Sequence, residues 1–401
     1  MKRLWLAGVV FLGATAALRA QDFLDRLDER LTIAAFDNEV RARISGLLDL
    51  EFYHFQQPPP GLIDVAGHDL FNPRLTLFLD AQIGPRIYFF AQSRLDRGFD
   101  PRDQGPQLRL DEYALRVTPW EDGRLSLQAG KFATVVGQWV SRHLSWDNPF
   151  VNAPLVYENV TSLEDRAAPQ LPFDGRLDDA KDEYIPVIWE PSYATGASAA
   201  GRLGKVEYAI ELKNAALSSR PESWDATRVD FAHPTVSGRV GFRPDEAWNM
   251  GFSASDGAYF RPEAQATLPP GRGLGDYHQT LLVQDISFAR HHLQLWAEFH
   301  EGRFNVPRLG EADTFGYFFE AKYRFAPQLT GAVRWNQQFF SDLPTGTGQE
   351  VPWSRDASRI EAAVSYRFTV HTQLKLQYYL TLQEDPGELS HTFAAQFTVR
   401  F

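Results

Sequence analysis

Arginines at alternating positions along the chain, together with an acid-rich stretch at residues 133–193, are the side chains best suited to chemistry. If the two groups faced each other across water, their fixed charges would orient dipolar solutes and slow apolar ones. The alternative is that arginines and acids pair and stabilise a wall, which contributes little free energy per pair in water. The candidate residues are Arg43, Arg94, Arg116, Arg142, Asp147, Glu158, Arg334 and Arg359.

Other kinds of site have little support in the sequence. The chain has no Cys, which removes thiolate metal sites and Cys nucleophiles. The pair His291-His292 has no acidic partner at a fixed spacing, and no Gly-x-Ser-x-Gly or metal-binding helix motif occurs. A net charge of -11 argues against nucleic acid, whose phosphates favour a basic surface. We therefore predict no enzymatic activity, no cofactor, no metal and no nucleic-acid partner.

The elements that must position these charges are long amphipathic strands. From about residue 40 onward, apolar and polar side chains alternate with period two, as in residues 40–55 and in the hairpin around Gly84-Pro85. Short turns alternate strictly with long connections rich in Gly, Pro and Asp, which is typical of transmembrane barrels. The further short turns lie at 119–123, 204–205, 244–247, 290–292, 326–328 and 369–372. The long connections lie at 56–71, 97–106, 133–192, 215–232, 258–276, 304–313, 340–357 and 384–390.

This scheme predicts an all-β chain, a transmembrane antiparallel β-barrel of about sixteen strands, with fourteen and eighteen left open. Both ends of the barrel sequence would lie on the same side of the membrane. The strands near 193–203 and 277–289 are the weakest assignments. Since a barrel of this size is too wide for side chains to fill, the polar face should line a hydrated lumen and the apolar face should meet lipid.

The N-terminus reads as an export signal. Lys2 and Arg3 precede an apolar stretch that ends near residue 17, followed by a small-residue cleavage site after Ala20 or, alternatively, after Ala16. The predicted organisation is a signal peptide at 1–20, a short periplasmic segment at 21–39 and the barrel at 40–401. The apolar spacing over 21–32 favours a short amphipathic helix in that segment.

The last eleven residues, 391–401, alternate strongly and end on an aromatic residue. Phe397, Val399 and Phe401 share one face of this strand, which resembles the insertion signal of outer-membrane proteins. With the alternation upstream, the chain resembles the general and substrate-selective porins. The segment 125–137 loosely resembles the strand before the third external loop of phosphate-selective porins.

This resemblance implies a Gram-negative outer-membrane porin, in which the long third loop folds into the barrel and narrows it. It further implies contact with outer-membrane lipid and lipopolysaccharide, delivery by the barrel assembly machinery, and a possible homotrimer. The expected function is a water-filled channel for passive diffusion of small hydrophilic solutes or ions. The alternatives are an outer-membrane enzyme of the lipase or protease type and a structural or adhesive barrel. The sequence leaves the solute and the preferred ion charge open.

Overall fold

The computed structural model describes residues 21–98, 100–101, 105–175, 181–225, 231–383 and 389–401. The predicted signal peptide at 1–20 lies outside these residues. Sixteen long strands form one closed antiparallel barrel, and a seventeenth, short strand joins the same sheet. The predicted fold class is confirmed, and the barrel has sixteen strands instead of fourteen or eighteen.

The described chain begins with a helix at 21–30 and continues almost entirely as strands. In chain order, the strands are β1 (Thr32–Ala35), β2 (Val40–Phe55), β3 (Asp69–Ile83), β4 (Ile87–Asp96), β5 (Gln107–Val117), β6 (Ser126–Phe132), β7 (Val160–Glu164), β8 (Tyr184–Pro186), β9 (Ala194–Leu203), β10 (Val206–Lys213), β11 (Thr235–Phe242), β12 (Trp248–Ala258), β13 (His278–Arg290), β14 (Leu293–Val306), β15 (Gly310–Arg324), β16 (Leu329–Phe340), β17 (Asp342–Pro344), β18 (Glu350–Pro352), β19 (Ala357–Arg367), β20 (Thr372–Gln383) and β21 (Leu389–Arg400). Short 3-10 helices lie at Trp139–Arg142, Leu155–Tyr157, Pro221–Trp224, Pro262–Ala266 and Leu274–Asp276. Among the described residues, no helix has both the length and the apolar character needed to cross a bilayer.

The barrel closes where its last strand pairs with its first. β21 runs antiparallel to β2, with Phe397 opposite Leu50 and Val399 opposite Leu48. Each of the other barrel strands pairs with the next barrel strand along the chain, and short strands outside the ring interrupt this order at two places, between β6 and β9 and between β16 and β19. Closure satisfies every strand edge of the ring, which is the condition for a sheet to exist in hydrocarbon.

The two faces of each strand are separated as the alternation predicts. On β2, Ile44 and Leu50 are 42% and 40% exposed on the outside, whereas Asp49 and Glu51 are 1% and 0% exposed on the inside. On this strand, apolar side chains thus form the outer face and ionisable ones lie inside, because charge in hydrocarbon is costly.

One connection differs from the predicted alternation of short and long. β14 and β15 extend until only residues 307–309 separate them, whereas a long connection over 304–313 was expected. Arg308 and Gly310 have φ of 67° and 100°, so the chain reverses in a tight turn. The long-loop end of the barrel is therefore uneven, with a short connection between its neighbours 259–277 and 341–356.

The N-terminal segment packs at the short-turn end of the barrel. β1 pairs with the start of β2, from Thr32 opposite Arg43 to Ala35 opposite Val40. On that side of β2, pairing with β21 reaches only as far as Leu47. β1 therefore occupies the part of the β2 edge that lies beyond the end of β21.

The third long connection, residues 133–193, is called here the inner loop. It contributes Trp139, Leu155, Ile188 and other buried apolar side chains to a cluster inside the barrel. The wall meets it with inward apolar side chains of its own, among them Val283. The prediction of a polar inner face is therefore wrong for this part of the wall, because the inner loop shields it from water. Such apolar inward positions explain why the two faces of β13 are hard to separate in the sequence.

Candidate pore constriction

The inner loop is fastened to the wall by a buried carboxylate on β14. Glu298 accepts hydrogen bonds from the backbone N–H groups of Gln138, at 2.8 Å, and Trp139, at 2.6 Å. The Tyr157 hydroxyl donates to the same carboxylate at 2.6 Å. One charged acceptor thus satisfies donors from two separate turns of the loop, which fixes the loop against β14.

A second attachment comes from two inward arginines on β16 and β19. Arg334 and Arg359 both donate to the Ala153 carbonyl, at 2.9 and 2.7 Å, and both pair with Glu361. Arg359 also pairs with Glu158 of the loop. Each arginine is 1% exposed. These predicted site residues point inward, but the loop covers them, so they hold the loop in place and do not face open water.

The remaining candidates, two on the loop and one on β2, lie nearer the short-turn end of the barrel than Arg334 and Arg359 do. Arg142 pairs with Glu320 at 2.5 Å, and its guanidinium lies 4.3 Å from the centre of the Trp296 ring. Asp147 is exposed and, with Arg43, borders a cavity of about 350 Å³. Arg43 pairs with Asp28 of the N-terminal helix at 2.7 Å.

The opposite wall carries three arginines on neighbouring strands, called here the arginine row: Arg74 on β3, Arg94 on β4 and Arg109 on β5. The sheet register places Arg94 directly opposite Arg109. The three side chains are 13%, 14% and 17% exposed, so each reaches past its neighbours toward the lumen. The arginine row therefore presents cationic groups to water.

Acidic side chains lie behind the arginine row. Arg74 pairs with Asp49 at 3.3 Å, Arg94 with Asp111 at 3.1 Å, and Arg109 with Asp96 at 3.2 Å. The side chains of these three acids are at most 4% exposed. The buried carboxylates thus compensate the positive charge from within the wall, and the guanidinium groups lie between them and the lumen.

Only Arg94 of the row was a predicted site residue; Arg74, on the inward face of β3, was not. Arg109 was missed because the pairing of β4 and β5 is irregular at Gln92/Ser93. The sequence does carry a sign of this shift. The outward residues of β5 move from even positions, Leu108 and Leu110, to the odd position Leu115.

The lumen narrows between the arginine row and the inner loop. A cavity of about 60 Å³ is bordered by Arg74, Arg94 and the loop residues His143, Glu158 and Glu190. The Glu190 carboxylate lies 3.9 Å from the Arg94 guanidinium across this space. This narrow space is the candidate constriction.

A far larger cavity of about 1050 Å³ adjoins the constriction, and His143 borders both. Its wall includes Arg116, Arg202, Arg239 and Arg243. Arg116 donates to Gln128 at 2.8 and 3.0 Å and lies in this wide part of the lumen. Arg116 is therefore inward as predicted, but it lies away from the narrowest point.

His143 is uncharged at neutral pH. Burial lowers its pKa from 6.5 to about 4, and the nearby guanidinium of Arg94 acts in the same direction. Its Nδ1 lies 2.6 Å from the Val140 carbonyl, which places the proton there, so Nε2 accepts from the Tyr193 hydroxyl at 2.6 Å. The imidazole is held at the junction of the two cavities as a neutral group.

The terminal residues of the predicted insertion signal lie on the outer face of β21. Phe393 and Phe397 point toward lipid with Val399, and the ring of Phe401 covers Gly46 of β2. A Cβ added at Gly46 would approach that ring to 2.5 Å.

No protein-family model and no curated protein matches the chain. Several solved structures do match it. Over 92% of this chain and 100% of the other, it is similar to OmpF from Salmonella typhi in complex with daunomycin, with a TM-score of 0.58 and 12% identity. The chain has the outer-membrane porin fold. It is also similar to an anion-selective porin from Comamonas acidovorans, with a TM-score of 0.56 and 10% identity over 90% of this chain and 100% of the other. For the outer-membrane channel DcaP of Acinetobacter baumannii, the TM-score is 0.52 at 10% identity, over 92% and 100% of the two chains.

Proposed function

We propose that this protein is a porin of a Gram-negative outer membrane, a water-filled channel through which small hydrophilic solutes or ions diffuse passively. The observation that carries the proposal is a narrow, charged space between the arginine row and the inner loop, next to a wide cavity of the lumen, with His143 bordering both. A channel needs such a constriction in order to select among solutes, because a hydrated pore of this width discriminates little between them without one.

We further infer that the constriction favours anions. The guanidinium groups stand in front of the carboxylates that compensate them, so a solute meets positive charge first. Opposite them, Glu158 is paired with Arg359, and Glu190, 20% exposed, lies 3.9 Å from Arg94, so each carboxylate on the loop side already has an arginine partner. The similar Comamonas acidovorans protein is an anion-selective porin, which agrees with this inference.

Planar-bilayer recording tests the proposal. The purified, folded protein should insert to give discrete conductance steps, and a salt gradient should give a reversal potential of the sign expected for anions. Folded barrels without any steps would contradict the channel. Turnover of lipid or peptide substrates without conductance would favour the enzyme alternative, and neither activity would favour a structural or adhesive barrel.

The wider setting is proposed on the same basis. Residues 1–20 act as the signal peptide, cleaved after Ala20 or Ala16, and the barrel assembly machinery reads the terminal strand. The mature barrel contacts lipid and lipopolysaccharide. Vibrio cholerae OmpT, described as a trimer form, is similar over 90% of this chain with a TM-score of 0.55 and 9% identity. A homotrimer is therefore proposed, and a single-barrel mass in mild detergent would contradict it.

A further inference from the structure

The outer belt of the barrel has a concavity on the strands opposite the arginine row. It has a volume of about 490 Å³, within the range of ligand pockets. Its floor contains the small residues Ala297 and Ala321, on adjacent strands β14 and β15. Large apolar side chains surround this floor: Trp248, Ile286, Phe288, Leu295, Phe319 and Trp335.

Alternation along the strands places the concavity on the side that meets acyl chains. Leu295, Phe319 and Trp335 are 37%, 48% and 40% exposed on the barrel exterior. The pairing register sets Phe319 opposite Ala297 on one side and opposite Trp335 on the other. A chain-like apolar molecule can therefore lie within this recess, flanked by aromatic rings. On other parts of the belt it would lie on top of the outward side chains.

Basic and imidazole groups stand at the short-turn end of this recess. Arg290 follows Phe288 by two residues on β13, so it shares the outward face about 7 Å farther toward the rim. His292 lies in the adjoining turn, with its ring 6.2 Å from that of Tyr323. Arg290 and His292 are exposed, and neither 290–293 nor 323–329 contains an acid.

The neighbouring turn between β11 and β12 carries two carboxylates that have other surroundings. Asp245 accepts from the backbone N–H groups of Ala247, at 2.8 Å, and Trp248, at 3.1 Å. Glu246 borders the large cavity of the lumen. Arg290 thus supplies a positive charge at the rim on the β13–β15 side of the recess, with no acid in its own turn or in the facing turn at 323–329.

We infer that this recess binds an anionic phospholipid, with one acyl chain over Ala297 and Ala321 and its phosphate near Arg290 and His292. The inference rests on the proposed membrane placement of the barrel and goes beyond the channel function. An apolar recess alone fits any acyl chain, whereas the basic rim distinguishes an anionic headgroup from a zwitterionic one.

Lipid retention tests this site. The full barrel is reconstituted in vesicles of phosphatidylcholine with a minor share of phosphatidylglycerol, extracted gently, and examined by native mass spectrometry for bound lipid. The wild type should retain phosphatidylglycerol in preference to phosphatidylcholine. Arg290→Gln with His292→Gln should reduce that preference about fivefold or more, and Ala297→Phe should remove retention of both lipids at this site.

Matched controls come from the β3–β4 hairpin on another part of the wall. Arg86→Gln changes an exposed arginine at the same rim, and Ala81→Phe enlarges an outward alanine of the belt. Both should leave retention unchanged. Equal retention of the two lipids, or equal effects of control and test variants, would overturn the site. A change in subunit number on Ala297→Phe, without loss of lipid, would instead identify the recess as an interface between copies and would also overturn it.

The two proposals fail differently. A barrel that inserts into vesicles and conducts, but retains no lipid selectively, disproves only the lipid site. A chain that does not insert disproves both.

Discussion

Inward arginines of this barrel have two different surroundings. Arg334 and Arg359 are covered by the inner loop and donate to its backbone, so their guanidinium groups attach the loop to the wall. Arg74 and Arg94 reach water in front of their acids. The residue type and its direction are the same in both groups, and only the position of a distant loop separates the two roles.

Neutralising Arg94 should weaken the preference for anions. In Arg94→Gln, one positive charge leaves the narrowest part of the lumen, and the permeability ratio of chloride to potassium should fall about twofold to fourfold at low salt. Reversal potentials in a salt gradient measure this. Arg116→Gln is the control, because Arg116 lies in the wide cavity and its loss should have a smaller effect. Equal effects would remove Arg94 from the constriction.

Acid should strengthen the preference for anions through His143. Its pKa of about 4 means that the imidazole gains a charge beside Arg94 only as the pH falls toward that value. Because burial lowers this pKa, the unfolded chain takes up the proton first, and the folded state loses stability as the pH falls from 6.5 toward 4.

Permeability ratios between pH 7 and pH 4 measure this effect. Burial raises the pKa of Glu190, which loses its negative charge in the acid range and changes selectivity in the same direction. Comparison with His143→Gln isolates the imidazole. A pH dependence that is identical in the variant would exclude His143.

For the candidate residues, the sequence could predict only which face of a strand each one occupies. Alternation alone gave the inward direction of Arg43, Arg94 and Arg116. It could not place Arg109, because a local irregularity in β5 changes the phase. Nor could it show that Arg334 is covered, since that depends on contacts with residues about 180 positions away in the chain, such as Asn152.

At the scale of elements, three buried charged side chains on one side of the barrel fasten the middle of the inner loop. Glu298, Arg334 and Arg359 fasten it to β14, β16 and β19. The β3–β5 wall contacts the two ends of the loop, where Glu112 accepts from the Ala133 N–H at 2.8 Å and Gln92 donates to the Tyr193 hydroxyl at 3.3 Å, and the narrow cavity lies on that side. The position of the passage therefore follows from which strands carry the attachments.

Removing the carboxylate on β14 should release part of the inner loop. Glu298→Ala leaves two buried N–H groups and the Tyr157 hydroxyl without their acceptor, at roughly 1–3 kcal/mol each. Single-channel conductance should rise and become noisier. Glu301→Gln, on the outward face of the same strand, should leave both unchanged. A quiet channel of unaltered conductance would show that other contacts suffice to hold the loop.

The strands themselves were largely predictable, since the apolar positions of β2, β3 and β19 repeat with period two. The exceptions have local causes. Two residues with positive φ, Arg308 and Gly310, turn an expected loop into a tight reversal. β13 departs from simple alternation because its inward Val283 packs on the inner loop rather than facing water.

At the scale of the whole molecule, the barrel depends on the seam between β21 and β2. Phe401 covers Gly46 there, where no larger residue fits without displacing the ring. Closure of a sixteen-strand sheet satisfies its edges only when this last pair forms.

Removing the terminal ring should impair assembly. Phe401→Ala loses the contact at the seam and about 1–2 kcal/mol of apolar burial, and the proposed insertion signal loses its last residue. The yield of folded barrel in the outer membrane, measured by heat-modifiable mobility, should fall. Phe319→Ala, which removes an equally large outward ring far from the seam, should reduce the yield less. Equal losses would argue against a special role for the terminus.

The short strand β1 has a consequence for how copies of this protein meet. Because neighbouring strands are staggered, the first residues of β2 extend past the final strand and would otherwise leave unpaired backbone groups at the foot of the barrel. Such groups can recruit a strand from a second molecule. By pairing with these groups, β1 removes them as a place where a strand of a second molecule could add to the sheet.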